Sequence, residues 1–270
     1  MVRLALLASA LVATGCDLLP EPNDNNGAPP PPLQPGLVEE LQTLGASNID
    51  LNTDGQIIAV SFYKADVGDA ELTIVSKLRE VEDVNLKETR ATDATLQLVG
   101  QRRMLRRLSL GGTGITDRGL DHLADLPRLE TLYLENTGLT DAAGSRLAEH
   151  ESLRILWLND TDVGDATVRR LAHHLPQLKE LNLGGTDISD ASAPALGRLG
   201  RLRTLNVSDT QMSEEGVKRL QELLPQTHIL SEVTNTGFEP LPPLPPAPWE
   251  TRSPDADTML PPLQPGSPDA

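Results

Sequence analysis

The chain has 270 residues, and its 23 lysines and arginines stand against 39 aspartates and glutamates, so that its formal net charge is −16. This acidity argues against nucleic-acid binding, because contacts to phosphate require a basic surface. The single cysteine excludes an intramolecular disulfide.

Residues 1–15 have the pattern of an export signal, with Arg3 followed at residues 4–13 by an apolar run too short to span a bilayer. The sequence VATGC at residues 12–16 resembles a bacterial lipobox. The resemblance implies cleavage before Cys16 and acylation of its thiol, which would hold the protein on a membrane of the bacterial cell envelope without a spanning helix. An ordinary secretory signal is the alternative, and the sequence leaves open which membrane carries the anchor.

A proline-rich tether follows at residues 16–36, where seven prolines leave few residues of the kind that proteins bury. Residues 37–56 predict an N-terminal cap that consists of a helix and a hairpin. The apolar spacing of LVEELQTL indicates the helix, Gly45 ends it, and the hairpin turns at Asp54-Gly55. Such a cap shields the open edge of the sheet that follows.

From residue 57 onward the chain repeats one pattern with a period of 24 or 25 residues. Five clear copies begin at Leu105, Leu129, Leu153, Leu178 and Leu202, and two weaker copies at residues 57 and 81 precede them. A fixed period of this length indicates a stacked array of similar units. A last strand is predicted at residues 227–230, so the array covers residues 57–230.

Each copy carries the signals of one strand and one short helix. Apolar residues at the fourth and sixth positions, such as Leu108 and Leu110, alternate with polar ones, as in a strand buried on one face. Apolar residues then recur three and four apart, which indicates a helix packed back on the strand. Between the two stands Thr116-Asp117 or an equivalent pair. We interpret this pair as an N-cap hydroxyl followed by an acid in the first helical turn.

The shared pattern, L-x-x-L-x-L-x-x-T-x-I-T-D-x-G-L-x-x-L, resembles the leucine-rich repeat family, with threonine at the usual Asn or Cys position. The resemblance implies an α/β fold, a right-handed leucine-rich-repeat solenoid in the form of a horseshoe. About seven repeats would then line a parallel concave sheet and place short helices on the convex side.

The repeats end before residues 231–270, where eleven prolines among the last 34 residues predict a disordered tail. The hexamer PPLQPG occurs in both the tether and the tail, at residues 31–36 and 261–266. Its recurrence has two explanations. Either the tether and the tail bind the same partner, or the repetition arose by random drift of proline-rich sequence.

The aligned copies place the third, fifth and seventh residues of each unit on the open face of the sheet. Tyr133 and Trp157 fall side by side in neighbouring copies, next to Ile155 and Thr131. Aromatic residues make up only 2% of the chain, so their concentration here predicts a protein-binding patch. Its predicted rim consists of Arg107, Glu135, Asn159, Asn182 and Asn206. The alternative is cross-strand packing that only stiffens the sheet.

No GxSxG, HExxH, CxxC or phosphate-loop motif occurs, so we predict that the protein is not an enzyme and uses no cofactor. His150 and His174 align in neighbouring copies, but two imidazoles make a poor metal site, and we predict surface histidines and no metal. The prediction is a monomeric, membrane-anchored recognition module that binds an unknown protein or peptide on its concave face. A structural spacer of the cell envelope, without a specific ligand, is the alternative.

Overall fold

The computed structural model of the protein describes residues 35–231. Within them, one sheet of nine strands runs in the order of the sequence. The strands are β1 Asn48–Leu51, β2 Ile57–Ser61, β3 Asp83–Asn85, β4 Arg107–Ser109, β5 Thr131–Tyr133, β6 Ile155–Trp157, β7 Glu180–Asn182, β8 Thr204–Asn206 and β9 His228–Leu230. β1 pairs with β2 in antiparallel fashion, and every later pair is parallel. The predicted signal, Cys16, and nearly all of the tether and tail lie outside the described residues.

Short helical segments return the chain from each strand to the next. The α-helices are α1 Pro35–Thr43, α2 Asp93–Val99, α3 Ala143–Leu147, α4 Asp165–His174, α5 Ala193–Leu196 and α6 Glu214–Leu223. Tighter 3-10 segments lie at Glu71–Lys77, Gly119–Leu123 and Asp190–Ser192. Because each unit contributes one parallel strand and one helical return, the predicted α/β leucine-rich-repeat solenoid is confirmed. Within residues 35–231, no helix combines the length and the apolar character that crossing a bilayer requires.

The strands stack in register, one repeat length apart. Ser109 pairs with Tyr133, Tyr133 with Trp157, and Trp157 with Asn182. This is the alignment that the sequence period predicts. Since side chains alternate along a strand, the residues of one such column share a face of the sheet.

The apolar residues at the fourth and sixth positions form the core. In the central repeats Leu132, Leu134, Leu156 and Leu158 are fully buried. They belong to one continuous apolar cluster that includes residues of every repeat. One strand and one helix cannot enclose a core, so each repeat buries its apolar surface only against its neighbours.

The turn after each strand is built in the same way in successive repeats. The hydroxyls of Thr113 and Thr161 donate hydrogen bonds to carbonyls three residues earlier, at 2.5 Å in each case. The residue before this threonine is left-handed even where it is not glycine, with φ of 57° at both Glu88 and Asp160. The threonine hydroxyl closes this turn in every repeat except the first, which has Ala65, and this bond explains why threonine recurs at the position.

The aspartates that follow the N-cap hydroxyls do more than favour helix initiation, which is the role that the sequence suggested. Asp93 accepts hydrogen bonds from the N–H and Oγ1 of Thr116 in the next repeat, at 2.8 and 2.6 Å. Asp117 accepts the same pair from Thr140, at 2.9 and 2.7 Å. The series, which we call the aspartate ladder, continues with local variation at Asp69, Asp141, Asp165 and Asp190. These carboxylates tie each repeat to the next.

For His150, the prediction of a surface histidine is wrong. The residue is 4% exposed, and burial lowers the pKa of its imidazole. Helix α3 ends at Leu147, and a tight turn follows in which the N–H of Leu153 donates to the carbonyl of His150 at 3.0 Å. His174, in the last turn of the longer helix α4, is exposed. Within residues 35–231, no cluster of three or more His, Cys, Asp or Glu residues could hold a metal ion.

Candidate functional site

The central feature of the concave face is an aromatic pair. Tyr133 of β5 and Trp157 of β6 are register partners, and their ring centroids lie 4.9 Å apart at an interplanar angle of 78°. Their strand neighbours Leu132 and Leu156 are buried in the core, so both rings stand on the opposite, concave side. Each ring is half-buried, and an edge-to-face contact of this kind contributes about 1 kcal/mol beyond burial.

Glu180 of β7 fixes the orientation of Trp157. The indole Nε1 donates a hydrogen bond to Glu180 Oε1 at 2.6 Å. Glu180 is only 8% exposed, and burial raises the pKa of its carboxyl, while the hydrogen bond from Trp157 opposes the rise. The indole is therefore held in one orientation on the sheet before any ligand arrives.

Two ion pairs occupy the N-terminal half of the concave face. Arg107 of β4 contacts Asp83 of β3 at 2.5 Å, and Lys87 contacts Glu135 at 2.8 Å across an intervening repeat. The second pair forms because the intervening residue is Gly111, where a Cβ atom would overlap the carboxylate of Glu135. Burial raises the pKa of Asp83, and Arg107 opposes the rise. The face thus already places cations against its own carboxylates.

The structure brings the predicted patch together but buries part of it. Ile155 lies beside the aromatic pair and is half-buried, whereas Thr131 is 7% and Glu135 is 8% exposed. The expectation that these two residues lie on the open surface is therefore wrong. Glu135 bends over Gly111, and Thr131 is enclosed between its column neighbours Arg107 and Ile155.

The other rim residues remain partly exposed, and the structure orients them. Asn182 and Asn206 each accept, through Oδ1, a hydrogen bond from the backbone N–H two residues later, at 3.1 and 3.0 Å. Asn159 donates from Nδ2 to the carboxylate of Asp160 at 2.9 Å. Side chains that are already fixed lose little conformational entropy when a partner binds.

Sequence reasoning missed Glu180, Asp83 and Lys87 as parts of the site. Glu180 aligns with Ile155, and its bond to Trp157 is diagonal, one strand over and two residues back. A long acidic side chain within diagonal reach of an indole N–H is the signal that could have revealed it.

The stacked parallel strands, the buried leucine columns and the open concave face define a leucine-rich-repeat solenoid. Residues 102–124 and 174–197 match the family model described as Leucine Rich repeat, so the chain contains leucine-rich repeats. No curated protein matches the chain.

Several solved bacterial structures are similar. Internalin C2 of Listeria monocytogenes is 22% identical with a TM-score of 0.53, and the match covers 73% of this chain and 92% of that one. Internalin F of the same organism is 23% identical with a TM-score of 0.46, covering 64% and 55% of the two chains. A leucine-rich-repeat protein of Leptospira interrogans is 20% identical with a TM-score of 0.45, covering 58% and 44%. The likeness to internalin C2 shows a shared fold.

Proposed function

We propose that the protein is a recognition module, displayed from the bacterial cell envelope, that binds a protein or peptide on its concave face. The observation that carries this proposal is the Tyr133–Trp157 pair, which stands on the concave side of a stiff parallel sheet. Tyrosine and tryptophan dominate the energetics of protein interfaces because they bury much area at a small entropic cost. Leucine-rich repeats are in general modules of protein interaction, and this composition suits that use.

The arrangement of Trp157 favours binding over mere stiffening of the sheet. Cross-strand packing alone needs only the contact with Tyr133. Here the indole N–H also donates a hydrogen bond to Glu180, so both the contact with Tyr133 and the polar atom of the indole fix the ring. A ring that is held in place while half of it remains accessible is preorganised for a partner.

Alanine substitution of the aromatic pair tests the binding function. We expect Trp157→Ala and Tyr133→Ala each to weaken capture of a partner from an envelope extract by about 2 kcal/mol, roughly thirtyfold. The matched control is Leu223→Ala, which removes an exposed apolar side chain, 44% accessible, from helix α6 away from the sheet. Thermal melts of each variant separate loss of binding from loss of folding.

Equal capture by the wild type and both aromatic variants would contradict the proposal. If envelope integrity changed at the same time, the result would favour the structural spacer. Loss of capture with Leu223→Ala as well would show that the loss is not specific to the concave face.

We further propose that Cys16 carries the lipid anchor. Its support is the sequence VATGC at residues 12–16 together with the absence of any other cysteine in the chain. Mass spectrometry of the mature N-terminus should find a chain that begins at Cys16 and carries acyl groups. Cys16→Ser should abolish the modification and move the protein from the membrane fraction to the soluble fraction. An unmodified Cys16 thiol in the mature protein would exclude the anchor.

A further inference from the structure

Unsatisfied hydrogen-bond acceptors cluster on the concave face. Within residues 35–231, six buried side-chain polar atoms have no hydrogen-bond partner. One is Arg102 Nε, and the other five belong to concave columns: Asp83 Oδ1, Ser109 Oγ, Glu135 Oε2, Asn159 Oδ1 and Glu180 Oε2. Buried polar groups without a partner are rare in native proteins, because such a group has lost its hydrogen bonds to water without replacing them. Five of the six lie on one face, so the protein's own donors leave acceptors unused on this face.

The chemistry of these five atoms favours a ligand that donates hydrogen bonds. Four are carboxylate or amide oxygens, which can only accept hydrogen bonds, and the fifth is a hydroxyl. Three of the residues, Asp83, Glu135 and Glu180, are acids. An anionic ligand would face repulsion from them, whereas ammonium and guanidinium groups present several N–H donors and a positive charge.

The protein's own cations show that basic side chains fit this face. Arg107 occupies one oxygen of Asp83, and Lys87 occupies one oxygen of Glu135. In each case the second oxygen is left unsatisfied. Among the described residues Glu180 forms no ion pair, and its one hydrogen-bond partner is the indole N–H of Trp157.

The extent of the acceptors across the strands matches a short extended peptide, and along the strands they occupy the third, fifth and seventh positions of their repeats. They lie between β3 and β7, four strand intervals of about 4.8 Å each, or about 19 Å. An extended chain rises about 3.3 Å per residue, so a segment of about six residues covers this distance. The aromatic pair lies within the same stretch, and an aromatic ring also attracts a cation placed over its face.

We propose that the occupant of the concave face is a basic peptide segment that crosses strands β3 to β7 and places a lysine or arginine against Glu180, beside Trp157. The inference rests on the proposed binding function and names the chemical class of its partner. Water molecules that satisfy the same acceptors without any peptide are the competing explanation, and the experiment below tells them apart.

The test uses short peptides and the fluorescence of Trp157. In a Trp249→Phe background, Trp157 is the only tryptophan. The probes are hexalysine, hexaarginine, hexaglutamate and an uncharged Gly-Ser hexamer, titrated at an ionic strength of about 0.15 M to limit long-range attraction. We expect the two basic peptides to bind and to change the Trp157 emission, and the other two to do neither.

Three variants make the test specific to the face. Glu180→Gln keeps the shape and an acceptor for the Trp157 indole but removes the charge, and it should weaken hexalysine binding about tenfold. Asn159→Asp adds a charge within the acceptor group and should tighten it about threefold. Glu222→Gln, an exposed acid on helix α6, is the control and should leave it unchanged. Circular dichroism of each variant checks that the fold is retained.

Absence of hexalysine binding would overturn the inference and leave water as the explanation for the acceptors. Equal weakening by Glu180→Gln and Glu222→Gln would overturn it too, because the attraction would then belong to the net charge. Binding of the uncharged or acidic peptide with the same emission change would overturn the basic class alone and leave the binding function standing. The capture experiment with the Trp157→Ala variant decides that function separately.

Discussion

Replacing Asp165 with alanine should lower the free energy of unfolding by about 3 kcal/mol, because hydrogen bonds to a charged group are each worth about 1.5–3 kcal/mol and this carboxylate accepts several. It accepts from the N–H and Oγ of Ser189 at 2.9 and 2.7 Å and from Oγ of Ser192 at 2.5 Å. All three donors belong to the next repeat. Asp165 also lies in the first turn of helix α4, where a negative charge is favourable. Urea denaturation followed by circular dichroism measures the change.

The matched control for this variant is Asp162→Ala. Asp162 lies three residues before Asp165, and its exposed carboxylate makes no hydrogen bond or ion pair within residues 35–231. We expect its loss to change the free energy of unfolding by less than about 0.5 kcal/mol. Similar losses for the two variants would mean that the aspartate ladder does not couple the repeats.

The same contacts predict how stability depends on pH. Burial opposes ionisation of Asp165, but the hydrogen bonds from Ser189 and Ser192 outweigh it and hold the pKa below the ordinary value. The unfolded chain therefore binds a proton before the folded chain does, at a pKa of about 3.9. The stabilisation is present above that pH and is lost as the pH falls through the lower folded pKa. The Asp165→Ala variant should show a smaller loss of stability over this acid range than the wild type.

The aspartate ladder also shows where sequence reasoning succeeds and where it stops. The Thr-Asp pair predicts a capped helix from local rules alone, and Thr92 does accept from the N–H of Ala94. The bond that Asp69 makes to Thr92 crosses from one repeat to the next. A rule based on neighbouring residues in the sequence cannot predict this hydrogen bond, because the bond depends on how closely adjacent repeats stack.

The concave face, too, could be predicted from the sequence only in part. The period fixes which residues share a column, so the neighbours Tyr133 and Trp157 could be placed side by side from the sequence. The burial of individual side chains within a column could not be predicted, because it depends on the conformation that each side chain adopts. Glu135 is covered since Gly111 leaves space for it, and Glu180 is covered by its diagonal contact with Trp157. Long side chains extend beyond their own column, and the position of a residue in the repeat does not determine the direction in which its side chain extends.

Alanine at Gly100 should destabilise the protein by about 3 kcal/mol, although helix propensity predicts the opposite sign. Gly100 follows helix α2 with φ of −63° and ψ of −13°, a helical conformation in which alanine is ordinarily favoured by about 1 kcal/mol. A Cβ atom there would lie 2.8 Å from the carbonyl carbon of His122 in the next repeat and closer still to its oxygen. The obstacle is backbone, so adjacent repeats must separate, at the upper end of overpacking costs.

Gly200→Ala is the comparison for Gly100→Ala, since a Cβ atom at Gly200 would meet no atom within 4 Å. We expect the Gly200 variant to unfold within about 1 kcal/mol of the wild type, because alanine there only restricts the unfolded chain. A Gly100→Ala variant as stable as the Gly200→Ala variant in urea would contradict the close approach of the second and third repeats. Because each repeat in a solenoid packs mainly against its two neighbours, the lost packing between the second and third repeats should weaken the fold on both sides of that interface.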